Sequence, residues 1–118
     1  MIANDSIAQA RINLHDETVA SYRWTNQELL DYLNDGIRDL RSRRPDLIIG
    51  SDLEITSFAS LPLGGGGALP TTVIYIDDLM RNALASYISF RALSRDTEDE
   101  GNVKRAADFL NQYTREIS

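Results

Sequence analysis

Apolar residues recur at helical spacing between residues 23 and 46, the stretch with the clearest pattern in the chain. Thr25 and Glu28 have the spacing of a capping box, in which the threonine side chain accepts a hydrogen bond from the glutamate N–H and the carboxylate reaches back. Pro45 disfavours helical geometry at the preceding residue and predicts the end of the helix. Trp24, just before the cap, is expected to pack this end against the core. The expected buried face carries Leu29, Leu30, Leu33, Ile37 and Leu40.

Three further segments have helical spacing. The first is expected to begin at one of the capping residues 4–6 and to end near residues 18–21, where adjacent acidic side chains oppose the helix dipole. The third predicted helix begins at Asp77 or Asp78, and because it is the most apolar it is expected to be central. The last covers about 102–116, and its short connection to the third predicts antiparallel neighbours.

The helical pattern disappears between residues 47 and 76. Leu53 to Thr56 alternates apolar and polar residues, and Val73 to Ile76 is β-branched and aromatic, so each indicates a strand. Gly64 to Gly67 predicts a flexible tip, because glycine loses the most backbone entropy when it is ordered. We therefore expect residues 1–118 to form one mainly α domain. It is a four-helix bundle-like fold with a long irregular β-hairpin or loop excursion between helices two and three.

The excursion is too apolar for a hairpin that stands alone in water, where two strands are barely stable. Two interpretations remain open: it folds over the bundle, or it lies on a neighbouring molecule by adding a strand or filling a groove. In the second case its apolar residues are candidate interface residues: Phe58, Leu61, Leu63, Leu69, Val73 and Tyr75.

The amino-acid composition argues against several classes of functional site. The 118 residues include 12 basic and 18 acidic side chains, a net charge of −6, which argues against nucleic-acid binding by net charge. There is no cysteine, and His15 is the only histidine, so we expect no enzyme, no cofactor and no metal site. The N-terminus lacks the pattern of a signal peptide, and no stretch has the ~20 apolar residues of a membrane span.

Two motifs have a superficial likeness to ligand sites. Gly64 to Gly67 lacks the Gly-Lys-Ser/Thr ending of a phosphate-binding loop. The acidic turn of residues 96–100 lacks the twelve-residue spacing and terminal glutamate of a calcium loop. We interpret the first as a loop tip and the second as a solvated turn that caps the last helix.

Charged residues of opposite sign gather in two places. Arginines at the end of the second helix either complement the helix dipole and pair with nearby aspartates, or anchor an acidic surface of another subunit. The acidic turn is the candidate counterpart, and Arg43→Glu is then expected to weaken assembly. The candidate interface residues in these two places are Arg41, Arg43, Arg44, Asp96, Glu98, Asp99 and Glu100.

Two blocks of residues share an order and spacing with one known family. The first block comprises Arg23-Trp24-Thr25-Asn26, Glu28-Leu29-Leu30, Tyr32-Leu33-Asn34-Asp35 and Arg44-Pro45-Asp46. The second comprises Ala83-Leu84, Tyr87, Arg91-Ala92-Leu93, Asp96, Glu98, Gly101-Asn102 and Ala106, with Leu61-Pro62 between the blocks. Together they resemble the head–tail connector (adaptor) proteins of tailed bacteriophages, although Asn26, Gly36 and the four-glycine tip depart from the usual pattern.

The resemblance implies a helical structural virion protein with an extended arm or loop. It implies assembly as a ring, commonly of twelve copies, beneath the portal in the neck of the virion. Such a ring extends the DNA channel used in genome packaging and docks tail or stopper proteins, while DNA passes without specific binding. The implied partners are other copies of the chain, the portal protein and a tail or stopper protein. The implied location is the head–tail junction, after synthesis in the host bacterial cytoplasm.

An alternative function of another class is open. The chain could be a small helical protein-binding or regulatory module, monomeric or dimeric, in which the excursion clasps one partner. Assembly into a high-order ring is the property that separates the two.

Overall fold

Four α-helices make up most of the structure, which is a computed structural model. They are α1 (Ala3–Asn13), α2 (Asn26–Arg43), α3 (Arg81–Arg95) and α4 (Glu100–Ile117). The structure describes residues 3–16, 23–44, 80–95 and 100–118. Within these ranges the regular elements are helical and there is no strand, so the prediction of a mainly α, four-helix protein is confirmed. The predicted hairpin of residues 47–76 lies outside the described residues.

The third helix is the centre of the fold, as its apolar sequence predicted. It packs against each of the other three helices and buries almost every residue from Ala83 to Leu93. The Tyr87 and Tyr113 rings meet edge to face with centroids 5.2 Å apart, and only residues 96–99 separate α3 from α4. The two helices are therefore antiparallel neighbours, as the short connection predicted.

The second helix follows its sequence closely. The Glu28 N–H donates to Thr25 Oγ1 at 3.1 Å, and the Thr25 N–H donates to the Glu28 carboxylate at 3.4 Å, which completes the capping box. All five predicted apolar residues are buried. Arg44, directly before Pro45, leaves helical geometry with φ −138°, so the predicted end is also confirmed. Trp24 is buried in the core, as expected.

The first helix ends earlier than its sequence predicted. It stops at Asn13, because His15 adopts φ 55°. The His15 N–H donates to the Ile12 carbonyl at 3.1 Å, and the Asp16 N–H donates to the Arg11 carbonyl at 2.9 Å. This pair of bonds is a Schellman ending, with histidine in the left-handed position that glycine usually takes. The expected end near residues 18–21 is therefore wrong.

The carboxylate of Asp16 connects α1 to the start of α2. It lies 2.8 Å from Arg11 Nη1 in an ion pair whose side chains are each only 6% exposed. It also accepts hydrogen bonds from the backbone N–H groups of Arg23, at 2.8 Å, and Trp24, at 3.2 Å. A buried carboxylate is stable only when such partners replace water. Asp16 is thus a tertiary contact rather than a charge that opposes the helix dipole.

A glycine allows α2 to approach α3 closely. A Cβ atom added at Gly36 would lie 2.9 Å from Tyr87 Cδ1 and 3.3 Å from Tyr87 Cγ. Both atoms lie close to the backbone of Tyr87, so they are less free to move than the far end of a long, flexible side chain. Gly36 therefore lets α2 lie closer to α3 than alanine would without a shift of the Tyr87 ring.

Candidate interaction surface

The arginines near the end of α2 differ in their partners. Arg38 Nη1 lies 3.1 Å from Asp35, and Arg43 Nε lies 3.1 Å from Asp39. Both are ion pairs within one helix, as the dipole-and-aspartate interpretation predicted. Arg41 is exposed and makes no side-chain hydrogen bond or ion pair with the residues that the structure describes. Among the predicted interface residues on α2, Arg41 has no partner in the described residues, whereas Arg43 is exposed but paired with Asp39.

The last arginine of this group joins two helix ends. Arg44 Nη1 donates a 2.6 Å hydrogen bond to the carbonyl of Ile117, the final residue of α4. A helix leaves its last four carbonyls without helical partners, so this contact satisfies one of them. An open cavity of about 330 Å³ lies at the junction and is lined by Arg43, Arg44, Thr114, Ile117 and Ser118. The basic end of α2, defined by Arg41, Arg43 and Arg44, thus continues onto the end of α4.

A second charged surface follows the α2–α3 seam, the line along which these two helices meet. Asp35 is shared by two arginines: its Oδ1 accepts from Arg38, and its Oδ2 lies 3.3 Å from Nη1 of Arg91 on α3. Asp35 is 39% exposed in its side chain, so each pair adds little stability by itself. Its effect is to hold both guanidinium groups in fixed positions.

Tyrosines complete the network at the seam. Arg91 donates a 3.0 Å hydrogen bond to the Tyr87 hydroxyl, and its guanidinium carbon lies 5.4 Å from the Tyr32 ring centroid. One turn later, Arg95 donates to the Tyr32 hydroxyl at 2.9 Å and lies 3.5 Å from Glu28. Arginine and tyrosine are enriched among residues that dominate protein–protein binding energies. The seam therefore presents suitable side chains, held in place by their neighbours.

The two seam arginines, Arg91 and Arg95, remain charged. Burial lowers the pKa of Arg91, but its hydrogen bond to Tyr87 and its attraction to Asp35 outweigh that effect and raise the pKa. The hydrogen bond to Tyr32 raises the pKa of Arg95. Guanidinium groups are charged at any pH at which the protein folds, so neither arginine acts as a pH switch.

The other predicted interface residues lie beyond what the structure describes. The six apolar residues of the excursion are in residues 45–79, and Asp96, Glu98 and Asp99 fall in the 96–99 connection. Glu100 is the first residue of α4. Contact between the basic end and the acidic turn therefore stays a prediction.

The seam network was not identified from the sequence as a unit. A signal existed: Tyr87, Arg91 and Arg95 repeat every four residues on α3, and Glu28 and Tyr32 do so on α2. Spacing places each set on one helix face, but only the docking of α2 on α3 shows that the two faces meet.

The described residues present arginine and tyrosine side chains at the two charged surfaces. They include no group of three or more His, Asp or Glu side chains placed to hold a metal ion. None of the described helices is long and apolar enough to cross a membrane. This arrangement is suited to binding another molecule through arginine and tyrosine side chains.

No protein-family model, curated protein or solved structure gives a match to this chain.

Proposed function

We propose that the chain is a head–tail connector (adaptor) protein of a tailed bacteriophage. In this proposal it is a structural protein of the virion that forms a ring under the portal. The ring extends the DNA channel and docks tail or stopper proteins. The protein is made in the host bacterial cytoplasm and ends at the head–tail junction.

The observation that carries the proposal is the contact between the two sequence blocks that resemble this family. Tyr32 and Asp35 belong to the first block, and Tyr87 and Arg91 belong to the second. Arg91 contacts Tyr32 and Asp35 across the α2–α3 seam, and it donates a hydrogen bond to Tyr87 on its own helix. Residues more than fifty positions apart thus form one network, which supports a resemblance that covers a folded unit rather than isolated residues.

The proposed ring needs two different surfaces on each subunit. Contacts between neighbours in a ring are heterologous, so one patch must complement another patch on the next copy. Arg41 is exposed and has no described partner, which supports the basic end of α2 as one patch. The acidic turn of residues 96–100 is the proposed second patch, with bidentate arginine–carboxylate contacts between them.

The excursion of residues 47–76 has the role of an arm in this proposal. As an irregular β-hairpin or loop, it would place its apolar residues on a neighbouring subunit or on the portal. Ordering at the moment of assembly would limit the conformational cost to the step at which the partner arrives. The net charge of −6 also fits a channel through which DNA slides without tight phosphate contacts.

Native mass spectrometry tests the proposal, on the protein alone and mixed with the portal protein of the same genome. A ring-sized species, formed alone or only with portal, is expected. A monomer or dimer that ignores the portal would overturn the proposal and favour the small helical binding or regulatory module, with the excursion as its clasp.

Charge reversal at Arg41 tests the proposed patch more cleanly than reversal at Arg43. Arg43 pairs with Asp39, so Arg43→Glu would also disturb the fold. Arg41→Glu should lower the ring population at least about tenfold, since one charged contact is worth roughly 1.5–3 kcal/mol. Lys104→Glu, at an exposed position on α4, is the matched control and should leave assembly unchanged. Equal ring populations in both variants would remove Arg41 from the interface.

A further inference from the structure

A polar cavity lies between α1, α3 and α4, away from both charged surfaces. Its volume is about 290 Å³ and its lining residues are Gln9, Asn13, Arg81, Asn82, Ser86 and Gln112. Among the residues that the structure describes, no acidic side chain lines it. The cavity lining therefore carries one formal positive charge, from Arg81, although the whole chain has a net charge of −6.

Ser86 is the observation that points to a ligand. Its side chain lines the cavity, is 1% exposed and makes no hydrogen bond with any described residue. The nearby Ser89, by contrast, donates to the Ala85 carbonyl at 2.8 Å in the usual manner of a helical serine. The Ser86 residue borders the cavity, and its hydroxyl is not among the fully buried side-chain atoms that lack a partner in the described residues. The Ser86 hydroxyl is therefore available to a molecule inside the cavity.

Two further hydrogen-bond donors at the cavity are unused. The guanidinium of Arg81 and the carboxamide of Asn82 have no described partner. Ser6 Oγ donates to the Arg81 carbonyl at 3.2 Å and so fixes the backbone that carries them.

The opposite wall is already ordered. The Gln9 amide donates to Asn13 Oδ1 at 3.3 Å, and the Asn13 amide donates to Ser89 Oγ at 3.4 Å. The Gln112 amide donates to Glu116, which is not a lining residue, at 2.9 Å. Each of these amides uses one N–H on a protein partner and keeps one for a ligand.

We propose that this cavity binds a carboxylate group, held by Arg81, Asn82 and Ser86. The three groups offer a charged fork, an amide donor and a hydroxyl donor, which match an acceptor-only anion. The volume is at the low end for ligand pockets, so it admits a small carboxylate or one acidic side chain. The carboxylate comes either from a free small molecule or from an Asp or Glu of a second copy of this chain. This inference does not depend on the proposed connector function.

An NMR titration with glutarate tests the free-ligand source. The full chain is titrated at constant ionic strength, with neutral glutaramide as the matched probe. Saturable shifts at the backbone amides of residues 81–86, with glutarate only, are expected. Arg81→Gln should weaken binding at least about tenfold and Ser86→Ala about fivefold, while Lys104→Gln should leave it unchanged. Ser86→Ala should not lower the Tm, because the hydroxyl has no described hydrogen bond to lose; this separates a binding role from a structural one.

Sedimentation velocity of the same variants tests the second-copy source. If the carboxylate belongs to another copy, self-association falls in Arg81→Gln and in Ser86→Ala and is unchanged in Lys104→Gln. Added glutarate should then also lower self-association, because it competes with that carboxylate for the cavity. The proposal is overturned if glutarate and glutaramide behave alike and both cavity variants self-associate as the parent chain does, since the cavity then holds water alone. If Arg41→Glu lowers self-association and Arg81→Gln does not, the self-association depends on the proposed ring patch and not on this cavity.

Discussion

The hydroxyl of Tyr113 on α4 donates a 2.7 Å hydrogen bond to the Asp39 carboxylate on α2. The tyrosine is only 1% exposed, while Asp39 also pairs with Arg43. One carboxylate thus connects the buried interface of two helices to the basic end of α2. The stability of the bundle and the geometry of the proposed interface are coupled at this residue.

Removing the Tyr113 hydroxyl should weaken this connection modestly. Tyr113→Phe keeps the ring contact with Tyr87 and loses one hydrogen bond to a carboxylate that water can partly resolvate. We expect a loss of about 1 kcal/mol in the free energy of unfolding. Urea denaturation measures it, and Tyr87→Phe, which removes a hydroxyl at the α2–α3 seam, is the comparison. An unchanged midpoint for Tyr113→Phe would mean that the hydrogen bond contributes nothing net.

The same tyrosine should make folding stability depend on alkaline pH. Burial first, and then the hydrogen bond to Asp39, raise the pKa of Tyr113 above its ordinary value of about 10. The folded state therefore keeps this proton where the unfolded chain loses it. The contribution is intact below about pH 10 and falls by up to about 1.4 kcal/mol per pH unit above it. Denaturation between pH 8 and 11 should give a smaller slope for Tyr113→Phe than for the parent chain; identical slopes would contradict the shift.

Gly36→Ala should destabilise the protein although alanine is the better helix former. Helix propensity favours the change by roughly 1 kcal/mol. The new Cβ would meet the Tyr87 ring at 2.9 Å, and overpacking of this kind costs about 1–3 kcal/mol. We expect a net loss of about 1 kcal/mol in thermal or urea unfolding. Gly101→Ala, at an exposed position in α4, is the control and should be neutral or stabilising; a similar gain at Gly36 would show that α2 and α3 are not this close.

His15→Gly should stabilise the end of α1. A left-handed conformation costs a residue with a Cβ about 1–2 kcal/mol relative to glycine, part of which is offset by the greater freedom of glycine in the unfolded chain. Because His15 is exposed, no packing is lost. A gain of about 0.5–1 kcal/mol is expected in urea unfolding. His15→Ala serves as the control without that benefit, and equal stability of the two variants would argue against the Schellman ending.

Asp16→Ala should be the most damaging of these substitutions. It leaves Arg11 buried without its carboxylate and removes the acceptor for the Arg23 and Trp24 N–H groups. Breaking a buried ion pair costs about 3–5 kcal/mol. Asp108→Ala, at an exposed position on α4, should change the unfolding free energy by less than about 0.5 kcal/mol. A double-mutant cycle with Arg11→Met isolates the pair, and simple additivity of the two losses would contradict a direct interaction.

What the sequence predicted correctly depended on short-range patterns. The capping box at Thr25 and Glu28 and the buried face of α2 are set by residues three and four apart. The end of α1 could not be found in this way. Asp16 appeared unfavourable at a helix terminus because its partners, the backbone of residues 23 and 24, reach it only through tertiary structure. Gly36 gave no signal of its own for the same reason.

The candidate surface was predicted in part. Arginine pairing with aspartates one turn away followed from spacing and is seen for Arg38 and Arg43. That Arg44 would contact the end of α4, and that Arg41 would be left without a described partner, depends on how the helices pack. The unpaired hydroxyl of Ser86 could not be predicted either. A serine on an apolar helix face has the same local sequence pattern whether or not its hydroxyl has a partner.

The three contacts of Asp16 have a consequence for how this chain can vary. They join residue 16 to residues 23 and 24 directly, so the register between α1 and α2 is set at the two ends of the connection. An insertion between residues 16 and 23 should therefore be tolerated, because lengthening a connection whose ends are already joined adds little entropic cost.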